Sequence, residues 1–431
     1  MHELLRQESA DFNELISYNP STEEEIGRIR MQTREEIDAT LKNAKEQFVR
    51  WAKTPLKHRL KFIRRLQNVI YQRADEIATL LANEQGKTKT EALLSEIAAV
   101  LMLLKKTPAH AKQVLREKKS THDMILFSHK KSSYRYEPYG IIVIISPWNF
   151  PFSVPIPEII SAIVAGNVVI FKPAPGTPFI GKMIDDLFRE AGFPEHVLNT
   201  IFISDEDASY LTGHPGIEKI IFTGSTKTGT RVMCSAAQQQ SSVLLELGGK
   251  DAAIVAADAN IERAARGIVW GAMFNSGQVC ASVERVYVEK TVADRFVQEC
   301  LKNIQKIRVG DPLAEDTDVG PMENERQLQL ALSHIADAQH KGAKLLYGGK
   351  RIGKRGYFLQ PALLVDVDHS MKVMTEETFG PVLPIMAVDS VDEAIRLAND
   401  VDFGLSAYGW TDNKKTAHRM MEELQAGTVV I

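Results

Sequence analysis

The sequence predicts an α/β protein with two sheet-bearing domains, the first built on a doubly wound parallel sheet, and a β-strand arm set between helices. Three observations carry this. From Gly140 onward, short apolar runs (Ile141–Ser146, Val168–Phe171, Thr200–Ile203, Lys219–Phe222, Val243–Leu247) alternate with helical-period segments, and strands alternating with helices give a parallel sheet. After Gly248-Gly249 a second such series begins with Ala252–Val255, Val286–Val288 and Ala362–Val367. Residues 121–139 interrupt the helical pattern with Ile125, Phe127, Ser133, Tyr134 and Tyr136 around a polar His129-Lys130-Lys131 turn. That is the pattern of an exposed arm able to pair with another subunit.

The elements follow in order. Residues 17–29 read as a hairpin around Asn19-Pro20-Ser21-Thr22. From Thr33 the period becomes helical, with Ile37, Leu41, Ala44 and Phe48 on one face and Thr33 with Glu36 fitting a capping box. Helices are expected at 55–72, 74–84 and 88–118, with Gly86 separating the last two. Leu93, Leu94, Ile97, Val100, Leu101 and Leu104 give the third a core stripe. Within the first series helices fall at 155–165, 178–191 and 227–239. Within the second they fall at 261–275, 292–306, 323–340, 391–398 and 414–424, and Val429-Val430-Ile431 reads as a strand.

The 431 residues suit two or three domains. Net charge is −3 with basic residues scattered, which argues against nucleic acid as a partner. Cysteines 234, 280 and 300 are too few and too unpatterned for a disulfide framework or a zinc site, so no metal is expected and a reducing compartment is favoured. Met1–Ala10 has no apolar core of a signal peptide, and no apolar run approaches the ~20 residues of a membrane span. These features predict a cytoplasmic protein.

Ligands of a doubly wound sheet bind beyond the carboxyl ends of its strands, so the loops leaving the strands are where chemistry is sought. In Pro147-Trp148-Asn149-Phe150-Pro151 two prolines fix the backbone around one amide, either an oxyanion donor or the cap of a rigid turn. Lys172 emerges at the end of an apolar strand, either to meet a cofactor ribose or phosphate or as a solvated strand-end charge. Gly224-Ser225-Thr226-Lys227-Thr228-Gly229 is a strand-to-helix turn whose free N–H groups suit a pyrophosphate, although it is neither Gly-x-Gly-x-x-Gly nor a complete P-loop. Glu246 closes an apolar run. Partial burial would raise its pKa and suit a general base, whereas an ion pair with Lys250 would make it structural. Cys234 and Cys300 read as helix packing, while Cys280 follows a Gly-containing turn with small neighbours, where an accessible, low-pKa thiolate can be presented. Glu377 can hold ribose hydroxyls, and Phe379 can cover a nicotinamide ring; otherwise Glu376–Val382 is an acidic turn.

Taken together, these stretches resemble the aldehyde dehydrogenase superfamily from about Asn19 to the last residue. The resemblance rests on Pro147–Pro151, Lys172-Pro173, Phe222–Ser225, Glu246–Lys250, Gly277-Gln278-Val279-Cys280 and Glu377–Pro381, in that order. Their separations also match: Glu246 to Cys280 is 280 − 246 = 34, and Cys280 to Glu377 is 377 − 280 = 97. The resemblance implies a Rossmann-like cofactor domain (1–120 with 140–247), a β arm for oligomerisation (121–139) and an α/β catalytic domain (248–431). It implies Cys280 as the nucleophile, with the Asn149 amide and the Cys280 N–H as oxyanion donors and Glu246 as the base that activates water against the thioester. It places NAD or NADP against Ser146, Pro147, Trp148, Lys172, Pro175, Gly224, Ser225, Gly229, Leu247, Glu377 and Phe379. The protein is expected to be a homodimer or homotetramer acting on a small-molecule aldehyde. Phe150, Val154, Val279 and Ala281 suggest an apolar tunnel for an aliphatic or aromatic aldehyde.

Two departures from the family pattern stand out. Members that prefer NAD commonly carry Glu three residues after the ribose lysine, where this chain has Pro175. NADP is therefore expected to be accepted and even preferred. Members also continue past a Gly-Thr-Val-Val-Ile strand into a tail that completes the substrate mouth and pairs with another subunit's arm. Here the sequence stops at Ile431: either the sequence is incomplete there or the protein is truncated, and a truncated chain is expected to fold weakly or lose assembly; intact mass would settle which applies. Three alternatives stand beside the hydrolytic enzyme: a succinate-semialdehyde-type dehydrogenase, a CoA-acylating relative, which Glu246 argues against, and a non-catalytic structural relative, which the intact catalytic positions argue against.

Overall fold

The computed structural model describes residues 13–120 and 129–431. These divide into two compact units. The first gathers residues up to Ser17, Glu25–Leu80 and Leu93–Glu246; the second gathers Tyr18–Glu24, Leu81–Ala92 and Leu247–Ile431. The segments 18–24 and 81–92, expected with the cofactor domain, thus pack in the second unit.

Strands β1 (Glu14–Tyr18) and β2 (Glu25–Arg30) form the expected hairpin, whose turn is closed by the Asn19 side chain accepting from the Ser21 N–H at 2.8 Å. Thr33 and Glu36 make the capping box of the helix Arg34–Trp51. The single helix expected over 88–118 is broken up. Lys89–Glu91 leads into a π-helical turn, Ala92–Ala98, then an α-helix, Ala99–Val114. The wider turn rotates the apolar stripe, so Ile97, Val100 and Leu104 are buried while Leu93 and Leu94 are exposed. Residues Lys118–Ser120 (β3) pair antiparallel with Ser132–Tyr134 (β4) rather than ending the helix. The expected strand residues Ile125 and Phe127 lie outside the described residues, and Tyr136 is exposed beyond β4.

The first unit carries a five-stranded sheet: β5 (Ile141–Ile145), β6 (Val168–Lys172), β7 (Leu198–Thr200), β8 (Lys219–Thr223) and β9 (Ser242–Glu246). Its order is β7-β6-β5-β8-β9, and every pairing is parallel. β5 and β6 are buried along their whole length, as a sheet covered on both faces requires. The chain runs outward from β5 to β7, then returns to β8 on the other side. The topological switch point therefore falls between β5 and β8.

The second unit carries seven strands: β10 (Ala252–Val255), β11 (Arg285–Glu289), β12 (Lys344–Tyr347), β13 (Ala362–Val365), β14 (Val382–Val388), β15 (Ser406–Trp410) and β16 (Thr428–Val430). The order is β12-β13-β14-β11-β10-β15-β16, parallel except for β12. Apolar layers cover both faces: Ile254, Leu364, Val382 and Met374 on one, Val255, Val286, Leu383 and Phe296 on the other. β12, β14 and β15 were not expected from the sequence. Pro384 inside β14 and Gly409 inside β15 are residues that weaken a strand reading, yet both strands are paired on each side. Among the described residues no helix is long and apolar enough to cross a membrane, and no cluster of three or more His, Cys, Asp or Glu is disposed to hold a metal.

Candidate active site

In the first unit, parallel pairing puts every strand's carboxyl end on one edge, and the predicted residues follow. Ser146, Pro147, Trp148 and Asn149 leave β5, Lys172 ends β6, Gly224 and Ser225 leave β8, and Glu246 ends β9. The first and third groups flank the switch point. Ser146 is buried and its Oγ has no hydrogen-bond partner. Ser225 caps the helix Thr226–Ala237, its side chain accepting from the Thr228 N–H, and Gly229 is buried in that helix's first turns. An orphaned hydroxyl beside a helix N-terminus, with a lysine on the next strand, fits a dinucleotide. Lys172 is itself buried, and desolvation holds its pKa below the ordinary lysine value. Pro175 is half-buried, and so are Phe150 and Val154.

The loop carrying Asn149 is fastened by a residue the sequence reading missed. Glu96, fully buried in the π-helical turn, accepts from the Ser153 N–H at 2.6 Å and the Phe152 N–H at 3.3 Å. The signal was available: a carboxylate inside the apolar run Ala92-Leu93-Leu94-Ser95-Glu96-Ile97 has to be paired. Asn149 is buried.

Glu246 differs from expectation. Its side chain is exposed, so the partial burial expected from the sequence is absent. Nor does it pair with Lys250, which binds Glu284 instead. The desolvated carboxyl of this unit is Glu158, on the helix Pro155–Ala165. Burial first, with the nearby Glu246 charge adding, pushes Glu158 up to about 8, against a hydrogen bond from Thr223. Glu158 therefore holds a proton at neutral pH beside the exposed Glu246. It was missed because a helical Glu at a half-buried position reads as surface.

In the second unit the functional residues gather at the opposite kind of edge. Gly248–Asp251 enter β10, Cys280 and Glu284 precede β11, Glu377–Phe379 precede β14, and Ser406 opens β15. These are the amino ends of adjacent strands. Leu247, Val279 and Ala281 are half-buried.

Cys280 is presented by a tight turn. Asn275, Ser276 and Gly277 have φ of 52°, 56° and 69°, three left-handed residues in a row. The turn is held by Glu91 accepting from the Asn275 N–H at 2.7 Å, by the Ser276 hydroxyl donating to the Gly320 carbonyl at 2.9 Å, and by Gln278 Oε1 accepting from the Glu323 N–H at 2.9 Å. The thiol is half-buried rather than accessible. Desolvation, then the Asp251 and Glu377 charges, push its pKa up, so the low-pKa thiolate expected from the sequence is not found. Asp251 is itself desolvated and pushed up to about 8 while accepting from the Ser406 N–H at 3.0 Å. The Tyr408 hydroxyl donates to the Ala281 carbonyl at 2.7 Å, next to Cys280. Glu377, raised to about 7 chiefly by burial, accepts from the Gly249 N–H at 3.1 Å, and Phe379 sits at φ 50°. Cys300, as expected, is buried in packing; Cys234 is exposed, against expectation, because its side of the helix Thr226–Ala237 is uncovered.

The turn yields a stability prediction. A Cβ on Gly277 would lie 2.2 Å from the Gly380 carbonyl oxygen, whereas one on Gly342, also at positive φ, would meet nothing within 4 Å. Gly277→Ala is expected to destabilise by roughly 3 kcal/mol, strain plus clash, and Gly342→Ala by about 1 kcal/mol, strain alone. Urea denaturation of both variants checks the difference; equal midpoints would remove the clash.

The aldehyde dehydrogenase family matches residues 7–431 of the chain. The D-glyceraldehyde dehydrogenase (NADP(+)) of Picrophilus torridus is 34% identical over 433 residues, covering 99% of this chain and 86% of that protein. An NADP-dependent enzyme of E. coli superposes with a TM-score of 0.93 at 32% identity, covering 97% of this chain and 86% of that one. Lactaldehyde dehydrogenase from Escherichia coli superposes with a TM-score of 0.92 at 32% identity, covering 98% and 88%.

Proposed function

The chain belongs to the aldehyde dehydrogenase family, and on that premise we propose that it oxidises an aldehyde to a carboxylic acid with NADP, accepting NAD, through a covalent thioester on Cys280. The observation that carries this is the strained, multiply anchored turn that presents one half-buried thiol at the amino edge of the second sheet. Ser146, Lys172, Gly224 and Ser225 are proposed to hold the dinucleotide's ribose and phosphates, with Gly229 and Leu247 beside them, and Pro147 and Trp148 to bound it. Glu377 would hold ribose hydroxyls and Phe379 would face the nicotinamide. Bound, the cofactor contributes hydride acceptance.

The remaining chemistry belongs to the chain. The Cys280 thiolate attacks the aldehyde carbonyl carbon, and the Asn149 amide and the Cys280 N–H donate to the oxygen as it becomes negative. Once oxidised, the adduct is a thioester. Glu246, exposed and able to meet water, takes a proton as water attacks the acyl carbon; the C–S bond then breaks, the carboxylic acid is released and the Cys280 sulfur is regenerated on the enzyme. Glu158 accepts or returns protons beside Glu246. Loss of NADP-dependent aldehyde oxidation by the purified protein across a broad panel would overturn the reading.

Cofactor choice is proposed to follow Pro175, where no carboxylate opposes a 2′-phosphate. That two of the similar proteins are NADP-dependent supports NADP as a cofactor. Pro175→Glu is expected to lower kcat/KM for NADP about tenfold, ~1.4 kcal/mol, while sparing NAD. Steady-state kinetics with both cofactors checks this, and an unchanged ratio would remove Pro175 from the discrimination.

For the substrate, half-buried Phe150, Val154, Val279 and Ala281 support an apolar aliphatic or aromatic aldehyde. Likeness to D-glyceraldehyde and lactaldehyde dehydrogenases favours a second reading, a short hydroxyaldehyde. Comparing kcat/KM for hexanal, benzaldehyde, lactaldehyde, glyceraldehyde and succinate semialdehyde separates them. The protein is further proposed to divide its labour by unit, cofactor in the first and nucleophile in the second, and to assemble through the β3–β4 arm.

A further inference from the structure

We infer that the buried Lys250–Glu284 ion pair is a positioning device for the loop bearing Glu377 and Phe379; the inference rests on the assignment of that loop to the cofactor's nicotinamide end. The pair joins three adjacent strand entries. Lys250 stands two residues before β10, Glu284 one before β11, and Thr378–Phe379 just ahead of β14.

One carboxylate receives three N–H donors. Glu284 Oε2 accepts from Lys250 Nζ at 2.6 Å and from the Thr378 N–H at 2.8 Å, and Oε1 accepts from the Phe379 N–H at 2.8 Å. The two loop amides are thus gripped by the two oxygens of one group. Phe379 needs such a grip, because φ of 50° is a conformation a non-glycine residue keeps only when its surroundings impose it. Lys250 Nζ also donates to the Thr378 hydroxyl at 3.1 Å, and that hydroxyl lies 3.1 Å from His334 Nδ1. A neutral His334 whose Nδ1 accepts the hydroxyl proton fits this arrangement. Burial and the Lys250 charge hold the imidazole below its ordinary value, in agreement. On the loop's other side, Glu377 is tied to the Gly249 N–H, one residue from Lys250. Arg285, next to Glu284, donates to the Lys250 carbonyl at 2.7 Å and fixes where the lysine starts.

The side chains of Lys250 and Glu284 are 0% and 5% exposed. Burying such a pair gains little stability over apolar packing. What it supplies here is direction: every polar contact of Glu284 named above goes to the cofactor loop or to the lysine that holds it. No residue of the pair is assigned a contact with substrate or cofactor, so both are positioning residues.

The test is Glu284→Gln, with Thr378→Val as an isosteric second variant. In Glu284→Gln an NH2 replaces one acceptor and faces a donor. Hydrogen exchange at the Thr378 and Phe379 amides, measured without cofactor, is expected to accelerate at least tenfold, with β10 and β11 unchanged. The NADP dissociation constant by calorimetry is expected to rise at least tenfold. Thr378→Val, which keeps Glu284, is expected to weaken NADP about threefold. Wild-type NADP affinity in both variants, or exchange accelerated across the whole second sheet, would overturn the inference. If Glu284→Gln does not fold, wild-type affinity in Thr378→Val alone overturns it. Failure of the underlying assignment looks different: the wild-type protein itself would bind no NADP.

Discussion

Cys280→Ala is expected to lower aldehyde oxidation by about three orders of magnitude or more while leaving the fold intact, because the variant removes the only group proposed to bond the substrate. NADP affinity, measured by calorimetry, is the control that separates lost chemistry from lost structure. A variant with full activity would end the nucleophile assignment. The wild-type pH profile belongs to the same prediction. Desolvation, then the Asp251 charge, raises the thiol's pKa. Raising it leaves the thiol protonated at neutral pH, and only the thiolate attacks. Log kcat/KM should therefore climb as pH rises through the alkaline range, and a flat profile would show that the thiol is deprotonated by a neighbour before the aldehyde arrives.

How that thiol is set explains what the sequence could and could not disclose. The turn at Gly277 and Cys280 was legible as a turn because glycine and small residues follow a helical period there, which the left-handed run Asn275–Gly277 bears out. The parallel first sheet was legible because its strands are long unbroken apolar runs bounded by helical periods. The second sheet was only half legible: Pro384 and Gly409 disguise two of its paired strands. Least legible were the groups that act at a distance in sequence. Glu96 reaches the Asn149 loop across 152 − 96 = 56 residues to Phe152, and Glu284 reaches Thr378 across 94. Neither local pattern nor spacing carries such pairings. Burial is equally hidden. Glu246 looked desolvated and is exposed; Glu158 looked like surface and is desolvated to about 8. The exposure of Glu246 follows from its strand, β9, lying at the sheet edge, where its alternate side chains face water.

Glu246→Gln is expected to separate the two halves of the reaction. Formation of the thioester needs Cys280, the oxyanion donors and the cofactor. Its hydrolysis needs a base within reach of water, and an amide cannot take the proton. Steady-state turnover should fall by about 10²–10⁴-fold, the range general-base removal produces. The first turnover should survive as a burst of NADPH equal to the number of active subunits. Intact mass during that phase should show the acyl group on the protein, and none in a Cys280→Ala, Glu246→Gln double variant. Adding CoA to the stalled acyl-enzyme should not restore turnover if water is the natural acceptor; restoration would favour the CoA-acylating alternative. Loss of the burst itself would place Glu246 before the thioester, as the base that deprotonates Cys280. Both roles need a free carboxylate. Glu246 is exposed to water, and its neighbour Glu158, pushed up to about 8 chiefly by burial, keeps its proton at neutral pH and so adds no negative charge beside it while the thioester is hydrolysed.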